Sequence, residues 1–147
     1  MYKYLLFLFF PFGAIAQNSA AYSDEDLKHY IAVSDAMFSY RLELAAKAKS
    51  LQEELQISPQ EMEGTLQALK EAGSWEALKP ELDPQFAKAF EQLMNFRAGL
   101  KQSMRQQLIK LISAYAWDED YYQHMQLTVQ SDPALQERLL TIKKSQG

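Results

Sequence analysis

Two long runs of apolar side chains, recurring every three or four residues, limit what this chain can become. The first is Leu27, Tyr30, Ile31, Ser34, Phe38, Arg41, Leu44, Ala45, Ala48, Leu51 and Leu55. The second is Phe86, Phe90, Leu93, Phe96, Leu100, Met104, Leu108, Leu111, Ile112 and Tyr115. That period belongs to an α-helix, and at 1.5 Å per residue each run makes a helix of roughly 45 Å. Neither stripe is stable facing water, so the two helices are expected to lie antiparallel as the spine of a bundle. β-Branched residues are scattered singly or in pairs, with no alternating run, which argues against a sheet. Ala, Leu, Gln, Glu and Lys dominate instead, the side chains that lose least freedom in a helix.

Start signals cut this material into pieces. Ser23 stands before three acids, Asp24, Glu25 and Asp26, with Tyr22 and Leu27 placed as a hydrophobic staple. Ser58 precedes Pro59 and Glu61, a capping box with Pro at the first helical position, stapled by Ile57 and Met62. Asp83-Pro84 and Asp132-Pro133 repeat the cap-plus-Pro pattern, and Asp118 to Asp120 open another helix between Trp117 and Tyr122. The spacing therefore predicts helices over 24–55, 59–72, 84–115, 119–130 and 133–144, with a helical turn at 75–79 after Gly73-Ser74. The fold class is all-α: a helical bundle of two long and two to three short helices. The order long, short, long, short suggests a duplicated long–short helical hairpin. Sliding the chain by 59 residues sets Asp24 on Asp83, Ile31 on Phe90 and Met62 on Tyr121. A bundle whose helices merely share an amphipathic period is the alternative.

Residues 1–16 differ from the rest. Lys3, an apolar run from Tyr4 to Phe12 and then Ala14-Ile15-Ala16 follow the order of a secretory signal, with cleavage expected before Gln17. The run is shorter than the roughly 20 residues needed to span a bilayer, and no second stretch approaches that length. Residues 17–147 are then a single all-helical domain, periplasmic or secreted, without a stable membrane span. The chain has no Cys, so disulfides, Cys-ligated metals and thiol nucleophiles are excluded and stability rests on packing. A formal charge of −4 gives no footprint for nucleic acid.

Chemistry is harder to find. The glycines form no phosphate-cradling loop, and neither a Gly-x-Ser-x-Gly elbow nor a His-Glu-x-x-His motif occurs. One arrangement occurs twice: Glu25 with His29 and Asp120 with His124, each four apart on a helix face. An acid and an imidazole at that spacing can share a divalent metal, and four ligands would converge if the two helix starts met. Acids in a first turn also answer the helix dipole, which is the plainer reading. Arg41 is expected to lay its stem on the core and carry its head to the edge. Trp117, Tyr121 and Tyr122, with Tyr115, form an aromatic group that serves either as staple and core or as an exposed docking patch. No cofactor is implied.

Two stretches carry a family resemblance. Tyr22-Ser23-Asp24-Glu25-Asp26-Leu27-Lys28-His29-Tyr30 is one, and Trp117 to Met125 continuing through Ser131-Asp132-Pro133-Ala134-Leu135-Gln136-Glu137-Arg138-Leu139 is the other. They resemble the two ends of an exported bacterial helical family, the domain of unknown function numbered 4168. Residues 45–100 depart from that pattern. The resemblance implies an exported all-helical domain and carries no catalytic residue to transfer. The expected function is thus non-catalytic: contact with another envelope protein, or self-association, in an adaptor, stress or holdase-like role. A metal-binding protein or metal-dependent hydrolase built on the two acid–His pairs is the alternative. A carrier of small apolar ligands, with a void lined by Phe38, Phe90 and Phe96, is a third reading.

Overall fold

A computed structural model of the chain describes residues 22–146; the secretory-signal reading of residues 1–16 lies outside the described residues. The order is α1 (Asp24–Glu54), α2 (Pro59–Ala72), α3 (Trp75–Leu78), a 3-10 turn at Lys79–Glu81, α4 (Pro84–Ser113), α5 (Glu119–Ser131) and α6 (Pro133–Gln146). The architecture is an all-α bundle with no strand among the described residues.

Each start is closed as its sequence requires. The Ser23 hydroxyl accepts from the Asp26 amide while the Asp26 carboxylate accepts from the Ser23 amide, and Ser58 and Glu61 do the same for α2. Asp83, Asp118 and Asp132 accept from first-turn amides of α4, α5 and α6. These bonds satisfy amide groups that a helix start otherwise leaves bare, about 1 kcal/mol each.

The long helices α1 and α4 run antiparallel. Val33 shares a cluster with Ile112 near one end, and Arg97 donates to Gln52 at 3.2 Å near the other. Helix α6 lies beside the first half of α1 and runs parallel to it, since Arg138 donates to Asp24 at 2.6 Å and Lys143 to Asp35 at 2.9 Å.

The two halves of the chain repeat one another, in a register of 60 residues. Helix starts at Asp24 and Pro59 recur at Pro84 and Glu119. Left-handed residues recur too: Gln56 and Ala116 both have φ 57°. Around each, the same pair of backbone bonds ends the long helix: Ile57 to Gln52 and Gln56 to Glu53, then Trp117 to Ile112 and Ala116 to Ser113. This is a Schellman-type ending, which turns the chain sharply into the short helix. The sequence match at 59 set Asp24, the first helical residue of α1, on Asp83, which is a cap. The caps that correspond are Ser23 with Asp83 and Ser58 with Asp118.

The repeat extends to packing. One end of the bundle buries Ile57, Met62, Phe90 and Leu93, with Leu51 and Leu55 against them. Their counterparts 60 residues away, Trp117, Tyr122, Tyr30, Val33, Leu111 and Tyr115, all belong to one cluster at the opposite end. There a further cluster of Tyr22, Leu27, Ile31, Met125, Val129, Leu135 and Ile142 is added by α6, and Tyr30 and Trp117 touch both. Staples at Tyr22/Leu27, Ile57/Met62 and Trp117/Tyr122 thus fall inside the clusters as expected.

Between the two ends α1 and α4 pair with little else around them. From Phe38 to Lys47 only Leu44 is buried, with Tyr40 partly so. Phe38, expected in the inward stripe, is 61% exposed, and Arg41 is exposed. The stripe is really two faces: Leu27 and Ile31 pack on α6, whereas Val33 packs with Ile112 of α4. Phe38 lies seven residues beyond Ile31, on the α6 side, where α6 no longer covers it.

Candidate functional site

At the end where α1 and α5 begin, six rings form a continuous series. His29 stacks on Tyr115 with centroids 4.0 Å apart, and Tyr115 meets Trp117 at 5.5 Å. Trp117 meets Tyr121 at 5.3 Å, Tyr121 stands edge-on to Tyr22 at 6.0 Å, and the Tyr22 hydroxyl is 2.7 Å from His124 Nδ1. Pairs of this kind add about 0.5–1.5 kcal/mol beyond their buried area. Arg138 adds a clamp, donating to the Tyr22 carbonyl at 3.2 Å as well as to Asp24.

The three aromatic residues expected as a docking group separate by environment. Tyr122 is buried against Tyr30, centroids 5.6 Å apart, so it belongs to the core and not to a contact surface. Trp117 is partly buried and ties two core clusters together. Tyr121 alone of the three is exposed, at 36%. Partial burial, then the Asp26 carboxylate and Tyr22, push its hydroxyl above the usual tyrosine value.

The rings also decide the fate of the acid–His pairs. His29 and His124 stand at opposite ends of the series, with Tyr115, Trp117, Tyr121 and Tyr22 between them. Among the described residues no three His, Asp or Glu side chains gather as a metal site requires. Glu25, His29, Asp120 and His124 are therefore not gathered into one cluster: each imidazole instead meets aromatic residues, His29 on Tyr115 and Trp117, and His124 on Tyr22. Glu25 and Asp120 are exposed on their helices.

A different concavity opens at the other end. Between the last turns of α1 and the outer side of α2 lies a groove of about 750 Å³, within the range of binding pockets. Ile57, Pro59, Met62 and Leu66 supply its apolar lining, and Lys49, Glu53, Glu63 and Lys70 its charged lining. Gly64 also lines it, and a Cβ built there meets nothing within 4 Å. The void expected from Phe38, Phe90 and Phe96 is not this groove. Phe38 is on the outside and Phe90 is fully buried against Trp75 and Phe86, so the three rings share no cavity. The signal in the sequence was Gly64, a residue without a side chain inside an otherwise strong helix and close to a staple.

The groove can hold an apolar side chain or a short apolar segment, with charges of both signs at hand to meet polar flanks. Compared with known proteins, the chain matches no family model, no curated sequence and no solved structure.

Proposed function

We propose that this is an exported, non-catalytic helical protein that works by contact with another protein of the cell envelope, as an adaptor, stress or holdase-like factor. The observation that carries the reading is the α1–α2 groove, whose floor reaches the buried Ile57 and Met62, with the part-buried Leu66 beside them. A concave apolar lining ringed by charge is how a helical surface takes up an apolar segment of a partner. Supporting it are the signal-like order of residues 1–16 and the resemblance of the two helix starts to the domain of unknown function numbered 4168.

Gly64 gives the test. Because Gly64 lines the groove and nothing within 4 Å obstructs a side chain there, Gly64→Leu adds bulk at the groove wall without a clash, while Gly64→Ala adds little. Binding is measured by fluorescence anisotropy against a labelled, permanently unfolded polypeptide. Saturable binding is expected for the parent chain and Gly64→Ala, weakened about tenfold or more in Gly64→Leu, a loss of about 1.4 kcal/mol. No binding by the parent chain, or equal binding by Gly64→Leu, overturns the reading.

A further inference from the structure

The rings at the end where α1 and α5 begin exceed what the fold asks for. In the internal repeat, Tyr115, Trp117 and Tyr121 stand where the other half has Leu55, Ile57 and Glu61, and the same left-handed turn and short helix form there. A turn of this build needs no aromatic ring. Trp and Tyr give up a single electron far more readily than Leu, Ile or Phe, and the chain has no Cys to act as a thiol donor instead. At the opposite end the tryptophan is Trp75, and it stacks on Phe90, with Phe86 next in line. Trp117 instead has a tyrosine on either side, Tyr115 and Tyr121.

We propose that this series is an electron relay, in which an oxidised Trp117 is refilled through Tyr121 from Tyr22, with His124 as the acceptor of the Tyr22 proton. Trp117 and Tyr121 have centroids 5.3 Å apart, and Tyr121 and Tyr22 6.0 Å. Both are ring-on-ring contacts, so an electron passes from each ring to the next without a gap. Tyr22 ends the path because its hydroxyl lies 2.7 Å from His124 Nδ1. An imidazole protonated on Nε2 presents Nδ1 as an acceptor, and the phenol O–H is the donor. A one-electron oxidant, such as a radical derived from a peroxide, takes an electron from Trp117 and is itself reduced. The indole sheds its Nε1 proton to water as it becomes a radical and takes one back when the electron from Tyr22 refills it. At Tyr22 the O–H bond breaks, the proton bonds to Nδ1, and a neutral tyrosyl radical remains beside an imidazolium. His124 is exposed and passes that proton on to water. Tyr22 is only 5% exposed, which keeps its radical from coupling with a second radical in solution, a protection that the exposed Tyr121 lacks.

The relay does not depend on the groove, and its test reads radicals and not peptide binding. In the purified chain carrying Trp75→Phe, azidyl radicals made by pulse radiolysis oxidise Trp117, and transient absorption follows the indolyl and tyrosyl radicals together. The indolyl signal is expected to decay as the tyrosyl signal grows, at a rate independent of protein concentration. Adding Tyr22→Phe should slow that growth severalfold. His124→Gln should do the same, since its amide oxygen can accept the hydrogen bond but does not take the proton. Helicity by circular dichroism is expected to stay unchanged in both. Trp117→Phe, which leaves Trp75 beside Phe90, should keep its indolyl signal severalfold longer. Growth that scales with protein concentration overturns the proposal, as does a rate unchanged by Tyr22→Phe or by His124→Gln. An indolyl radical on Trp75 that decays as fast as one on Trp117 overturns it equally.

Discussion

The most exacting check of the repeated architecture lies in its two left-handed residues. Gln56 and Ala116, 60 positions apart, share φ 57°. An L-residue there brings its Cβ close to the following carbonyl, at a cost of roughly 1–2 kcal/mol, whereas glycine is free of that clash. Glycine gives back about 0.5–1 kcal/mol through its larger loss of backbone freedom on folding. Both side chains are exposed, so little packing is lost on truncation. Gln56→Gly and Ala116→Gly should therefore each stabilise the fold by about 0.5–1 kcal/mol. The sites sit at opposite ends of the bundle, so the double variant should gain about the sum. For a domain of this length that amounts to a rise of roughly 4–8 °C in Tm. Gly73, the left-handed cap of α2 at φ 79°, supplies the opposite control. A Cβ at Gly73 meets nothing, so Gly73→Ala should lose about 1 kcal/mol or more through backbone conformation alone. Thermal and urea unfolding followed by circular dichroism measures all four variants. If either glycine variant is no more stable than the parent, or Gly73→Ala is neutral, the paired left-handed endings do not exist in solution as described.

Three further outcomes are expected. Tyr22→Phe removes the hydroxyl bonded to His124 and should cost about 0.5–1.5 kcal/mol in urea unfolding without loss of helicity. Gly99 lies inside α4 where a Cβ meets nothing, so Gly99→Ala should raise stability by about 0.5–1 kcal/mol in the same assay. Glu61 is held below its ordinary value of 4.5 by the Ser58 hydroxyl and then the Ser58 amide. A carboxylate with a lowered pKa gives stability that is present above its unfolded value and lost as pH falls through its folded one. In melts from neutral to acidic pH, Glu61→Gln should therefore lie below the parent at neutral pH and converge with it as the pH falls below the ordinary value of 4.5 and through the lowered folded one.

Helix spans were readable because their starts are written in side chains that act locally. Ser23, Ser58, Asp83, Asp118 and Asp132 bond amides two or three residues away, and Pro59, Pro84 and Pro133 can sit only where an amide is dispensable. Helix ends at Gln56 and Ala116 left no such mark, since their left-handed turns are held by backbone bonds and use no glycine. Which face of α1 is covered was not local information either. Periodicity places Phe38 in line with Leu27 and Ile31, but only the length and direction of α6 decide that the cover stops short of it. The acid–His pairs fail for a related reason. Spacing of four puts Glu25 beside His29 and Asp120 beside His124, yet it cannot say that each imidazole meets aromatic rings instead of the other pair. Tyr122 was left between two roles because an aromatic residue beside a helix start serves staple and surface equally well until its partner, Tyr30, is known.

The division of the bundle into two packed ends has an optical consequence. The chain has two tryptophans, and each falls to a different end: Trp75 stacks on Phe90 at 5.4 Å, and Trp117 lies against Tyr121 at 5.3 Å in the opposite cluster. Emission from Trp117→Phe reports one end, and emission from Trp75→Phe reports the other. Coincident denaturant midpoints would mean that the bare stretch of α1 and α4 transmits unfolding from end to end, and separated midpoints that each half of the repeat melts as its own unit. The molecule carries a fluorescent gauge at each of its poles.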